Sequence, residues 1–347
     1  MPSGCVVKAE IMNRRNFVTR GSLLGFCWRG SRNFWAAGRW PPRGKETNGR
    51  ENTRATYLHP SHRSGWSNRL LPRGWPSGCT TGALTARLSG IFFSVSRVDP
   101  AAGGPIPGDC LDLPGFGFTE VPEKRHYKYT FDALANTVLA FTDALQLKSY
   151  ALYVFDYGAP TGFRLAMARP ERVTAIVSQN GNAYEEGLGD AWAPIRRYWS
   201  NPSSGNRETL RKALSPEGIR REYSSGIGNP DLIAPEGYKL DAALIERPDN
   251  KDIQLDLFLD YANNVRLYPA FQKYFRNSQP PLLAIWGKHD PYFIPAGAEA
   301  FRRDNPNATV QLLDTGHFAL ETHVEEIALT VRQFLAKTAG TALSIRP

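Results

Sequence analysis

Beyond Leu111 the chain contains no cysteine, since Cys5, Cys27, Cys79 and Cys110 all precede it. That absence excludes a disulfide framework or a cysteine-ligated metal from the greater part of the protein. Long apolar runs are missing too. No stretch approaches the roughly 18 residues of a membrane-spanning helix, so no transmembrane segment is expected. There is no phosphate loop and no dinucleotide fingerprint. Gly115 and Gly117 stand alone, without the strand–helix context that G-x-G-x-x-G requires. Neither a cofactor nor a metal is expected.

The 347 residues carry a formal net charge of +9, which would suggest a polyanion partner if it were evenly spread. The excess is confined to residues 1–110, and the remainder is slightly acidic. The basic part is rich in Arg, Gly, Pro and Ser and holds most of the eight tryptophans. It shows neither helical nor strand periodicity, and its aromatics do not interleave with a basic face. No nucleic-acid partner is expected. So many tryptophans also fit poorly with a solvated tail.

From Leu111 onward the pattern is that of a globular protein with a sizeable core. Apolar residues Leu134, Val138, Phe141 and Leu145 recur at helical spacing. Short β-branched and aromatic runs predict strands at 150–155, 173–178, 282–286 and 310–313. Helices are predicted at 159–168 and 324–335. Strands alternating with helices predict a parallel sheet covered on both faces, with ligands beyond the carboxyl ends of the strands. Between about Asn182 and Asn277 the strand pattern stops. Aromatics at helical spacing, broken by Pro and Gly, predict an inserted helical cap.

Asp156 lies where the run Tyr153-Val154-Phe155 ends and Tyr157-Gly158-Ala159-Pro160 begins. A buried strand, an abrupt acid and small residues opening a helix describe a sharp strand–turn–helix corner. An N-cap aspartate is the bland alternative. Asp290, in Gly287-Lys288-His289-Asp290-Pro291, and His317, in Thr315-Gly316-His317-Phe318, both follow strands. Asp290 before proline is equally a turn former. The order acid, acid, histidine matches nucleophile, orienting acid and base.

Together with Asp112-Leu113-Pro114-Gly115-Phe116-Gly117, these motifs resemble the α/β-hydrolase superfamily, in its epoxide hydrolase and haloalkane dehalogenase branch. The resemblance runs from Leu111 to near Ala336. It implies an α/β-hydrolase fold, mostly parallel, with helices on both faces. It also implies that Asp156 attacks a carbon atom to form an ester, which water activated by His317, itself oriented by Asp290, then hydrolyses. One oxyanion donor would be the backbone N–H of Tyr157, the other an N–H of an H-G-x-P loop. The substrate would be a small molecule of the epoxide or alkyl halide type. Tyr157 replaces the tryptophan that often donates to a departing halide, which tilts the reading toward epoxides. Opening an epoxide needs a proton donor from the cap, and Tyr184, Tyr223 and Tyr238 are candidates. These tyrosines and Trp192 are the expected substrate-binding residues. Arg164 is expected on the helix surface or behind the site. Asn180 would bind substrate or cap a turn, and His289 and His323 are expected at the surface. A carboxylesterase is the alternative enzyme, although it normally needs serine at Asp156. A non-catalytic ligand-binding protein of the same fold, or the inactive product of a damaged gene, are the remaining readings.

Residues 60–110 lack H-G-x-P and the early strands that the resemblance demands. Beginning each codon for Gly65 to Asp109 one base later permits a string that contains H-G-F-P and leads into Asp112. Residues 60–110 are therefore expected to be read out of frame, with the first core strands disrupted. The expected organisation is an export-signal-like or disordered segment at 1–59, the out-of-frame stretch at 60–110, core at 111–181, cap at 182–277 and core again at 278–338. Arg14-Arg15 resembles a twin-arginine export signal and leaves the compartment open between cytoplasm and export.

Overall fold

The structure, a computed structural model, describes residues 89–94 and 108–344. The export-like Arg14-Arg15 and most of residues 60–110 lie outside the described residues. Among the described residues the centre is a six-stranded sheet in the order β2-β1-β3-β4-β5-β6. Its strands are β1 (Ser89–Ser94), β2 (Gly108–Leu111), β3 (Tyr150–Asp156), β4 (Val173–Gln179), β5 (Leu282–Gly287) and β6 (Thr309–Leu313). The last four run parallel, with Val154 opposite Ser178, Ser178 opposite Ala284 and Ala284 opposite Val310. All but the last residue of β3 and all of β5 are buried, which explains why they read as unbroken apolar runs rather than alternating ones.

One expectation is corrected here. β3 is not left without a neighbour on its N-terminal side. β1 pairs with it antiparallel, Ile91 opposite Val154, and with β2 on its other edge. The ladder needs only an extended backbone in reach, so residues 89–94 cover N–H and C=O groups that would otherwise each cost about 1–3 kcal/mol.

Helix α1 (Phe131–Ala144) starts where the Thr130 hydroxyl accepts the Ala133 N–H at 3.2 Å, and it buries Phe131, Leu134 and Val138. Helix α2 (Gly158–Ala168) leaves the corner after β3 and packs so closely on it that a Cβ at Gly162 would stand 2.5 Å from Val154. Between β4 and β5 come α3 (Ala193–Ser200), α4 (Ser204–Arg211), α5 (Pro216–Ser224), α6 (Pro235–Ile245) and the long α7 (Asn250–Ser278). These helices all lie between two neighbouring parallel strands of the sheet. α8 (Pro295–Asp304) joins β5 to β6, and α9 (Ala319–Ser344), broken in its backbone at His323, follows β6.

An aromatic cluster ties the insertion to the sheet. Phe163 of α2 is fully buried between Phe271 and Phe275 of α7 and Phe301 of α8, with ring centroids 5.5, 5.3 and 6.2 Å away. Truncating Phe163 to alanine is expected to cost about 3–5 kcal/mol, read as a lower midpoint in urea unfolding.

Arg164 is not on the helix surface, as half of its expectation had it. Its guanidinium is buried, donates to Asp132 and Asn264 at 2.7 Å each, and so links α2 to α1 and α7.

Candidate active site

The corner after β3 has the geometry that its sequence suggested. Asp156 has a φ of 47°, in the left-handed region that a side chain normally avoids. Tyr157 returns to φ −61° and α2 begins directly behind it. This twist carries the carboxyl group off the sheet edge and towards the loops that follow β5 and β6.

Those two loops meet backbone to backbone. A Cβ at Gly287 would lie 1.9 Å from the carbonyl oxygen of Gly316, so only glycine permits the approach. Lys288 and His289 donate their N–H groups to Leu313 and Thr315 across the same seam. The result places Asp290 beside His317, with Nδ1 of the ring 2.7 Å from Oδ2 of Asp290. The other ring nitrogen, Nε2, lies 3.7 Å from Oδ1 of Asp156. The three residues singled out from the sequence thus converge, and both Asp290 and His317 are buried.

Asp290 is held by more than the imidazole. Oδ1 accepts the Tyr292 N–H and Oδ2 accepts the Asn180 side-chain N–H, each at 2.7 Å. Asn180 sits at the end of β4 with φ 43° and also accepts the Gly287 N–H at 3.1 Å. It therefore fastens the orienting acid to β5, a role more definite than either sequence expectation. Four partly or fully buried rings surround His317: Phe155 at 4.8 Å, Phe318 at 5.0 Å, Tyr292 at 5.6 Å and Phe293 at 5.9 Å.

Electrostatics follow from this burial. Desolvation pushes the Asp156 carboxyl up to about 7, against the pull of His317 and of the Tyr157 backbone N–H. Burial pulls His317 down. The Asp290 carboxylate beside it, with Asp156 and Glu222 behind, outweighs that and carries it up to about 9. Neutralising Asp156 would remove one support of the imidazolium, so His317 would be present more often as the free imidazole. If Asp156 acts as the nucleophile that the resemblance implies, its ionised form attacks and activity is expected to rise with pH through about 7. A pH profile of kcat/KM measures that limb directly.

The Tyr157 backbone N–H lies close enough to the Asp156 carboxyl to favour its ionised form. The resemblance would take a second donor from an H-G-x-P loop, which residues 60–110 as written do not contain.

The other expected substrate contacts divide. Tyr184 packs edge-on against Phe301 and beneath Arg303, with neither neighbour in the Asp156–Asp290–His317 group. Tyr223 stacks on Phe318 at 3.9 Å, but its hydroxyl donates to Asp241 at 2.6 Å and is committed there. Tyr238 is half-buried against the edge of Tyr223. Trp192 joins Phe293 and Tyr261, whose ring in turn packs on Tyr157, so it belongs to the aromatic wall beside the elbow. His289 is exposed beside Asp314, and His323 is half-buried against Thr322.

Sequence reasoning passed over Glu222, whose charge reaches both Asp156 and His317. It stands in Arg220-Arg221-Glu222-Tyr223, which reads as a solvated charged run. The available signal was its spacing. Ile219 and Tyr223 are fully buried, and Glu222 is three residues after the first, on the same face of α5.

A catalytic-type triad at the carboxyl ends of parallel strands, under a helical insertion, is the architecture of an α/β hydrolase. The family model described as alpha/beta hydrolase fold matches residues 110–324. The chain belongs to that family and is a hydrolase. It is 48% identical over 230 residues to an uncharacterized hydrolase of Saccharomyces cerevisiae, covering 65% of this chain and 79% of that protein. Similarity extends to epoxide hydrolase 2 of Caenorhabditis elegans, 23% identical, with 65% of each chain covered. It extends also to a haloalkane dehalogenase of Mycolicibacterium paratuberculosis, 25% identical over 62% of this chain and 70% of the other.

Proposed function

We propose that the protein hydrolyses small organic epoxides through a covalent ester on Asp156. The observation that carries this reading is the identity of the residue at the corner. A carboxylate attacks an electrophilic sp³ carbon well and a carboxylic ester poorly, which speaks against a carboxylesterase. The nearby His317 Nε2, 3.7 Å from Asp156, suits the second half of the reaction.

In that scheme Oδ1 or Oδ2 of Asp156 displaces the ring oxygen from carbon. His317 then takes a proton from water. The hydroxide adds to Cγ of Asp156 while the Tyr157 N–H holds the oxyanion, and the diol leaves with the proton from His317. Asp290 keeps the ring in the tautomer that presents the Nε2 lone pair to water.

Alkyl halides form a second reading, favoured by one feature. The indole N–H of Trp192 is buried and has no hydrogen-bond partner, as a donor to a halide would be.

The test uses His317→Gln, which retains the nucleophile and lacks the base. Mixed with styrene oxide, the variant is expected to gain the mass of one substrate, and peptide mapping should put the ester on Asp156. Absence of any adduct with styrene oxide would overturn the epoxide reading. An adduct with 1-bromobutane alone would replace it by the halide reading.

A further inference from the structure

The reaction as drawn lacks a proton for the oxygen that leaves carbon, and the cap tyrosines do not supply it convincingly. Tyr223 has its hydroxyl on Asp241, and Tyr184 packs around Phe301 and Arg303. Burial pushes Tyr157 and Tyr292 far above the ordinary phenol value, so each holds its proton tightly.

Another group reaches the same place. The last turn of α5 is seated directly on the loop that bears His317. The carbonyl of Ser225 is so close to Gly316 that a Cβ there would stand 1.8 Å away, and Gly226 faces the His289 carbonyl in the same manner. Tyr223 stacks on Phe318, the neighbour of His317. These contacts hold Glu222, on the buried face of the same turn, towards the triad. Its carboxyl interacts with His317, Asp290 and Asp156, and with the hydroxyls of Tyr157, Tyr223 and Tyr292. Among the described residues it makes no hydrogen bond and no ion pair that would explain its place there. A half-buried carboxyl with no hydrogen-bond or ion-pair partner among the described residues, whose charge acts on Asp156 and His317, is costly unless it serves the chemistry.

We propose that Glu222 is the general acid of the first step, giving its proton to the epoxide oxygen as Asp156 attacks the carbon. This inference rests on the epoxide reading above. The carboxylate oxygen of Asp156 forms the new C–O bond, and the ring C–O bond breaks. Its electron pair goes to the ring oxygen, which takes the proton of Glu222 and becomes a hydroxyl. Glu222 is left as a carboxylate and regains a proton from solvent, which its partial exposure allows.

The groups facing Glu222 also make the role economical. Burial, with Asp290 adding to it and His317 opposing, brings its carboxyl up to about 7. An acid near the working pH donates well and is restored quickly. Asp156 must be ionised while Glu222 is protonated, and the two titrate in the same range, so the first step has a narrow bell-shaped pH profile.

The experiment measures ester formation by rapid quench and intact mass. Styrene oxide is the substrate, and wild type, Glu222→Gln and Glu222→Asp are compared, each in the His317→Gln background that traps the ester. Glu222→Gln is expected to slow adduct formation about 10^2- to 10^4-fold and to remove the alkaline limb of its pH profile. Its acid limb should move to lower pH, because a negative neighbour of Asp156 is gone. Glu222→Asp, which keeps an acid on a shorter stem, is expected to restore at least part of the rate and the alkaline limb. Adduct formation at an unchanged rate with the alkaline limb intact in Glu222→Gln would overturn the proposal and leave the epoxide reading standing. A loss in Glu222→Gln that Glu222→Asp does not relieve at all, with both variants melting like the parent, would overturn it also. No adduct in the His317→Gln parent would overturn both readings together.

Discussion

Replacing Asp156 by alanine is expected to lower kcat/KM toward an epoxide by about 10^4-fold or more, the scale seen when a covalent nucleophile is removed. The loss should appear in both half-reactions, because no ester forms and none is left to hydrolyse. Stability should move the other way in Asp156→Gly. The native residue has φ 47°, which for a side chain costs on the order of 1–3 kcal/mol, and glycine relieves it. The buried carboxyl adds a pH-dependent penalty. Its folded pKa of about 7 lies above the ordinary value of 3.8, so the folded state binds the proton more tightly than the unfolded chain does. Stability from this group is therefore present at low pH and is lost as pH rises through that window. At pH 8 the glycine variant should melt higher than wild type. A lower melting temperature at pH 8 would mean that the attraction to His317 exceeds both penalties.

Asp290→Asn should be nearly as damaging, with a different signature. The carboxylate takes hydrogen bonds at 2.7 Å from Asn180 and Tyr292 and pairs with His317 at the same distance. An asparagine keeps one acceptor oxygen; turned to the Tyr292 N–H, it sets its own amide N–H against the Asn180 amide and the imidazole, which both meet Oδ2 in the native site. The ring then favours the tautomer with its proton on Nε2, where water needs a lone pair. In serine proteases the equivalent change lowers kcat by about 10^4, and a similar loss is expected here. Ester formation, which does not need the base, should survive. The variant should therefore show a burst of one equivalent and then stall. Its stability should fall by about 1–3 kcal/mol, the cost of a buried polar group left without its partner. Steady turnover without a burst would mean that Asp290 does not serve the second half-reaction.

Much of this arrangement was legible beforehand because it rests on local pattern. The strands 150–156 and 282–287 are buried on both faces, so their apolar runs are continuous, and each ends at a residue with a chemical task close by. The order of Asp156, Asp290 and His317 along the chain was equally readable. What was not legible depended on how distant segments meet. Glu222 looked like part of a charged surface until α5 was seen lying on Gly316. Asn180 had a defined partner only once β4 and β5 were aligned. The phenols of Tyr184 and Tyr223 were candidate donors under the resemblance, but one packs around Phe301 and the other is spent on Asp241. Ser89–Ser94 showed no strand pattern, yet its backbone completes a ladder, because pairing asks for extension and not for particular side chains.

The seating of α5 on the base-bearing loop divides the cap into two kinds of territory. Where Ser225 and Gly226 press on Gly316 and His289, insertions or bulky replacements would shove the imidazole itself, so drift there is punished at once. A few residues later the chain runs past Leu232, which stands open to solvent. There a side chain can change without meeting a backbone, whereas the inner turn stays locked like a hinge pin.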